Sequence, residues 1–284
     1  MMKFAYSSNA FTRTDLESAL KDIAKLGFSA AEILCDRPHW FPGEVSENEI
    51  DHIAQLLKEL NLSVSNLNAN TANGYYKPIP AENTFEPALS NEDPTMRQWR
   101  QDYTVNTIKL AQRLDASCIS ITTGRPTPGC SPSRALNYFA DEVNIICDAA
   151  ARFDIRIGIE YEPGLILENA EEVMAFIEHI DSPHLGVNLD IGHSYLNHEP
   201  PTQTIEMFSN RIWNVHLEDI KGNKHFHLIP GEGDMPFEEY LTALRKINYQ
   251  EFLTLELYSY PERPIEAGRL GLEYLTDLQN NLPQ

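Results

Sequence analysis

The chain has 284 residues, with 22 basic against 42 acidic side chains and a net charge of −20. Proteins that grip a polyanion present basic patches, so this balance argues against a nucleic-acid partner. The 42% apolar content supplies a sizeable core, yet no apolar run approaches the ~20 residues of a membrane span. The opening MMKFAYSSNA carries no basic segment followed by an apolar stretch, and Cys35, Cys118, Cys130 and Cys147 show no paired spacing. The expectation is a cytoplasmic protein with reduced thiols and no membrane contact.

Along the chain, aliphatic and β-branched runs bounded by turn residues predict strands at about 3–8, 30–36, 62–68, 117–122, 155–161, 184–190, 211–217 and 251–257. Amphipathic stretches predict helices at about 14–26, 46–60, 93–114, 132–152, 168–180, 202–209, 236–247 and 263–281. Start signals accompany several: capping boxes at Thr14/Glu17 and Ser46/Glu49, and Pro132 or Pro236 in a first turn, while Gly27 sits where the first helix should stop. Strict alternation of strand and helix, repeated eight times, predicts one (β/α)8 TIM barrel over residues 1–284, an α/β fold with a parallel barrel inside a ring of helices. A doubly wound open sheet is the weaker alternative, since no GxGxxG or phosphate loop is present. The longest connection, about 68–92, leaves the barrel between the third strand and its helix. It reads either as a substrate-contact lid or as a passive insertion.

The last four strands end on residues that can bind a metal. IRIGIE closes on Glu160, HLGVNLD on Asp190, IWNVHL on His216 and FLTLEL on Glu256. Side chains alternate faces along a strand. One parity here is greasy throughout: Ile157 and Ile159, Val187 and Leu189, Val215 and Leu217, Leu253 and Leu255. The other carries Gly158, Asn188, Asn214 and Thr254 and then the four candidates. Outward apolar and inward small or polar residues place all four groups at the mouth of one barrel. A lone strand-end carboxylate is an ordinary loop residue, but four in one register imply a divalent-metal site. Three carboxylates with one imidazole suit Mn2+ or Mg2+ and tolerate Co2+ or Zn2+.

The segments IGIEYEPG, LGVNLDIGH, NVHLED, HLIPGEGDMPF and LTLELY resemble, in order and over the whole chain, the xylose isomerase-like superfamily of TIM barrels. That superfamily holds sugar phosphate isomerases and epimerases, D-tagatose epimerase-type enzymes, hydroxypyruvate isomerase and endonuclease IV. The resemblance to the epimerase branch implies a single divalent ion, most often manganese, on Glu160, Asp190, His216 and Glu256. It also implies that Glu160 and Glu256 act as the acid/base pair across an enediolate, and that His193 contacts a substrate oxygen. Glu162 shares the parity of Glu160 and is an alternative to it, although EPG reads as a turn. Glu32, at the end of the second strand, is expected to contact substrate or to lock the barrel mouth, or else to be a buried structural carboxylate. Endonuclease IV binds three metals, partly through histidines where this chain reads NLNAN and ITTGRP. His227 matches a later histidine of that enzyme and His225 stands where an aspartate would be, but the missing histidines and the acidic charge set the nuclease reading aside. His227 stays a candidate for substrate contact and the role of His225 stays open.

The leading expectation is a metal-dependent isomerase or epimerase of a small ketose. A lyase dehydrating an inosose-type ketone would use the same enolate chemistry, and a non-catalytic sugar-binding barrel is the third reading. No basic cluster for a phosphate is visible, Arg125 and Arg263 being isolated. A homo-oligomer is expected by resemblance alone.

Overall fold

The computed structural model describes residues 1–282. Eight parallel strands close into a barrel: β1 (Lys3–Ser7), β2 (Ala30–Leu34), β3 (Ser63–Asn68), β4 (Cys118–Thr122), β5 (Arg156–Glu160), β6 (Leu185–Asp190), β7 (Ile212–Leu217) and, after an inserted hairpin, β10 (Phe252–Leu255). The hairpin pairs β8 (Asp219–Lys221) with β9 (Lys224–Leu228), antiparallel and outside the barrel. Around the barrel run α1 (Leu16–Leu26), α2 (Glu47–Leu60), α3 (Pro94–Arg113), α4 (Pro132–Phe153), α5 (Ala170–Ile180), the short α6 (Ile191–Leu196), α7 (Pro201–Phe208), α8 (Phe237–Lys246) and α9 (Pro264–Asn281). Among the described residues no helix is long and apolar enough to cross a membrane.

Local chemistry accounts for most helix ends. Ser46 and Glu49 form the expected reciprocal cap, Pro132 opens α4, and Gly27 ends α1 in the left-handed region at φ 93°. At α1 the cap is Asp15, whose carboxylate accepts from Ser18 N at 2.8 Å. Thr14 instead turns its hydroxyl back to Phe11 O, so the expected Thr14 box does not form. Pro236 precedes α8 as its cap and has no capping side chain.

The greasy parity of each strand, including Ile157, Ile159, Val187, Leu189, Val215 and Leu253, is buried under the helices. The barrel interior is polar. Thr254 Oγ1 donates to Asn214 Oδ1 at 2.9 Å, Asn214 Nδ2 to Asn188 Oδ1 at 2.8 Å, and Asn66 Nδ2 to Ser120 Oγ at 2.9 Å. These amides and hydroxyls satisfy one another in layers, which a buried polar core requires.

Gly158 holds two of those strands together. A Cβ there would lie 2.8 Å from Asn188 N and 3.0 Å from Asn188 Cβ, and the backbone nitrogen cannot move without breaking the β5–β6 pairing. Gly158→Ala is expected to cost about 1–3 kcal/mol through overpacking. A lowered thermal midpoint, with Asn188 displaced from Glu160 and His216, is the predicted result.

Candidate metal centre and cavity

His216 stands at the centre of the site, fully enclosed, with its two ring nitrogens facing different surroundings. Nε2 lies 2.7 Å from Glu32 Oε2. Nδ1 lies 2.9 Å from Glu160 Oε2, 3.4 Å from Glu256 Oε2 and 3.9 Å from Asp190 Oδ2. One ligand atom from each of Glu160, Asp190, His216 and Glu256 falls within 4.8 Å of the others. The parity that puts all four on the inward face is therefore matched by their convergence in space.

Each carboxylate is held from behind. Asp190 ends β6 and caps α6: its Oδ1 accepts from His193 N at 2.9 Å, while its buried Oδ2 has no hydrogen-bond partner. Glu256 Oε1 accepts from Asn9 Nδ2 at 2.9 Å and Asn68 Nδ2 at 3.0 Å, leaving Oε2 toward His216. Asn188 Nδ2 donates to Glu160 Oε2. Beside Asp190, Glu218 is fully buried; burial first, and then Asp190, push its carboxyl well above the usual range. Gly192 leaves room for it, since a Cβ there would collide with Glu218 Oε1.

The donor set fits a divalent cation. Glu32, Glu160, Asp190, Glu218 and Glu256 are all almost wholly enclosed around one imidazole, and buried carboxylates need compensating positive charge. The ring answers that demand: burial alone would lower it, yet Glu256, Glu32 and Glu160 hold His216 protonated well above the ordinary histidine range. A cation meeting Nδ1, Asp190 Oδ2 and the two glutamates would satisfy the same charge.

Glu32 is not among the residues that line the cavity. It is fully buried and accepts from Ser7 Oγ and Asn66 Nδ2, both at 2.7 Å, besides facing His216. A register shift between Ala31 and Glu32 in the β2–β3 pairing accompanies this position. Its burial and its partner His216 are those of a paired, enclosed carboxylate. By accepting from Nε2–H, Glu32 orients the ring so that Nδ1 faces the three carboxylates, and a cation displacing the Nδ1 proton would find that nitrogen free to ligate. Glu32→Gln, which keeps the shape and removes the charge, is expected to weaken divalent-ion affinity about 10- to 100-fold. Competition titration against a chelating dye measures it, and unchanged affinity would make Glu32 a packing residue only.

Above the four groups opens a cavity of about 380 Å³. Glu160 and Glu256 form its inner wall, with His193, His225, His227 and Tyr258 on one side. The three histidines converge: His225 Nε2 is 3.0 Å from His193 Nε2 and 2.6 Å from His227 Nε2. His227 sits at φ 45°, a strained value for histidine, with Nδ1 2.8 Å from Glu256 O. Burial and then His193 bring His225 down to about 4, and burial keeps His227 well below its usual value, so both are neutral donors or acceptors near neutrality. Glu162 is not part of the four-residue cluster. It faces His225 Nδ1 at 3.7 Å, and burial raises its carboxyl.

The 68–92 connection also lines the cavity, through Asn70, Thr71, Asn73, Asn83 and Phe85. It is anchored, not passive. Asp36 accepts from Thr71 Oγ1, Asn73 N and Gly74 N at 2.6–2.9 Å, and Arg100 donates to Asn70 O at 3.0 Å. Asp219 organises the GEG loop by accepting from Gly231 N and Gly233 N, both at 2.8 Å.

The sequence profile of the xylose isomerase-like TIM barrel family matches residues 20–278. The chain belongs to that family. It is similar to fructoselysine 3-epimerase of Shigella flexneri, 25% identical over 277 residues and 96% of each chain. It is also similar to D-psicose 3-epimerase of Enterocloster bolteae, 24% identical over 284 residues that cover 95% of this chain and 84% of that one. Among solved structures, a D-tagatose 3-epimerase-like protein superposes with a TM-score of 0.81 at 24% identity, over 99% of this chain and 100% of the other, which shows the shared fold.

Proposed function

We propose that this chain is a divalent-metal-dependent epimerase of a ketose, acting at C3, the carbon beside the ketone. The observation that carries the reading is the pair Glu160 and Glu256. They come from β5 and the end of β10, strands separated around the barrel by β6 and β7, and both face the cavity. Epimerisation takes a proton from one face of a carbon and returns one to the other, which calls for two acid/base groups on different sides. A simple isomerase moves a proton between neighbouring carbons along one face and needs only one. Two curated relatives spanning nearly the whole chain are 3-epimerases, which supports the choice of carbon.

An ion held by Glu160, Asp190, His216 and Glu256, with Mn2+ suited to three carboxylates and one imidazole, would polarise the ketone and adjacent hydroxyl oxygens and so acidify the C–H between them. The protein groups do the rest. One glutamate accepts the C3 proton and the other, protonated, delivers a proton to the opposite face of the planar enediolate. His193 and His227, both buried side chains of the cavity wall, would contact the sugar oxygens. Asn9 Oδ1 and Asn70 Oδ1 line the cavity buried and without hydrogen-bond partners. The Asn9 amide is oriented by its donation to Glu256, so its oxygen is left to accept from a hydroxyl. Acceptors of this kind suit a polyol substrate.

The test is incubation of the Mn2+-loaded protein with D-fructose and D-tagatose in D2O. The expected product is the C3 epimer carrying one deuterium at that carbon. Loss of water from an inosose in place of exchange would assign the dehydratase alternative, and sugar binding indifferent to metal removal, with no exchange, would assign the binding barrel.

A further inference from the structure

We propose that Asn68 is a positioning residue, which aims Glu256 at the reacting carbon by tying it to the buried Glu32. The inference rests on the epimerase reading and on the metal set proposed with it.

Asn68 is the last residue of β3 and is 4% exposed. Its Nδ2 lies 3.1 Å from Glu32 Oε1 and 3.0 Å from Glu256 Oε1. An amide nitrogen carries two hydrogens, one for each carboxylate. The remaining oxygens of the same two glutamates face His216 from either side, Glu32 Oε2 at 2.7 Å from Nε2 and Glu256 Oε2 at 3.4 Å from Nδ1. The pair is therefore joined twice, by the imidazole and by the amide, in a closed ring built from β2, β3, β7 and the end of β10.

The imidazole alone would leave the Glu256 carboxyl group free to turn about its bond to the chain, and a hold on the second oxygen removes that freedom. The amide provides the hold without charge. A lysine or arginine in its place would neutralise carboxylates that a divalent ion needs, whereas a neutral donor sets their direction and leaves their charge. Asn68 is itself held: Oδ1 accepts from Asn70 N at 3.2 Å, which sets the end of the amide that meets the carboxylates. Asn70 O in turn accepts from Thr122 Oγ1 at 2.9 Å and Arg100 Nη2 at 3.0 Å. The direction of Glu256 is thus anchored to β4 and α3. Glu160 has no matching tether, since Asn188 and His216 both meet its Oε2. Removal of the Asn68 amide should disturb one glutamate of the acid/base pair and spare the other.

The test follows exchange of the C3 proton in D2O for each member of an epimer pair, D-fructose and D-psicose, with the full chain loaded with Mn2+. Asn68→Ala is expected to slow about 10- to 100-fold, the scale of a misplaced reacting group, the epimer that Glu256→Gln fails to exchange. The other epimer should stay near the wild-type rate. Asn68→Ser, whose hydroxyl donates one hydrogen bond, should show the same one-sided loss in smaller measure, and it carries the test if the alanine protein does not fold. Equal slowing of both epimers at wild-type ion content would make Asn68 a merely structural residue and overturn the proposal, as would wild-type exchange of both. Competition titration of Mn2+ reads the same contact without turnover. Asn68→Ala should weaken affinity about 10-fold in the wild-type chain and far less in a Glu256→Gln background, where the carboxylate it aims is gone. Equal losses in the two backgrounds would show that Asn68 does not act through Glu256, and would also overturn the proposal. Absence of C3 exchange in wild type, with that coupling intact, would sink the epimerase reading and keep Asn68 as the residue that holds Glu256.

Discussion

The wild-type chain is expected to emerge from purification with about one divalent ion per molecule, and the Asp190→Asn and His216→Ala proteins without it. Elemental mass spectrometry reads this directly. Alanine at Asp190 would confound the result, because Oδ1 caps α6 through His193 N and loss of a cap costs about 1 kcal/mol. Asparagine keeps the cap and removes the charge, so metal loss in that variant reports on ligation alone. His216→Ala strips the site of its imidazole and leaves Glu32 enclosed without its charge partner. Breaking a buried pair in this way costs about 3–5 kcal/mol. Added Mn2+ should raise the thermal midpoint of wild type, since a ligand that binds only the folded state stabilises it by mass action, and should not do so for either variant. Wild type without ion after Mn2+ addition would remove the metal from the mechanism. Two ions per chain would point to the convergent trio His193, His225 and His227 as well.

Much of the fold was legible because apolar strand runs alternate with amphipathic stretches eight times, and β5, β6, β7 and β10 carry an apolar parity that a helix-covered barrel buries. The same parity made the site legible: Glu160, Asp190, His216 and Glu256 each end a strand on its polar side, and a closed barrel turns such residues toward one axis. What escaped had weak or ambiguous local signals. The β8–β9 hairpin, DIKGNKHFHL, lacks apolar alternation because it lies outside the barrel and shows its Phe226 to solvent. The six-residue α6 follows Asp190 with no intervening loop, so the strand pattern runs straight into it. Asn9 lies far in the chain from Glu256 and only tertiary packing brings them together, while Asn188 and Glu218, two residues from Asp190 and His216, share the inward parity but carry no local signal of their contacts. Glu32 had the inward parity, but parity gives the face and not the depth. Depth depends on the stagger between strands, and that stagger puts Glu32 beneath His216.

Glu160→Gln and Glu256→Gln are expected to lower turnover about 100- to 10,000-fold, the contribution of a positioned acid or base. Loss of rate alone would not separate catalysis from ligation, because each residue also belongs to the candidate metal cluster. The two faces of the reaction supply the separation. If each glutamate serves one face of the enediolate, either variant should still remove and restore the proton of one C3 epimer on its intact side, exchanging deuterium from D2O without inversion. Glu160→Gln should do so with one epimer and Glu256→Gln with the other. The surroundings favour such a split: Glu256 Oε1 is fixed by two amide donors, whereas only Oε2 of Glu160 is engaged by Asn188 and His216. Ion content measured on the same preparations keeps the comparison fair, since a variant that has lost its metal should exchange neither epimer. Full turnover by either variant, or identical exchange patterns in the two at wild-type ion content, would sink the paired-carboxylate mechanism. In that event the second proton would have to come from another cavity group, and Glu162, half-buried beside His225 with its carboxyl raised by burial, is the nearest acid to test.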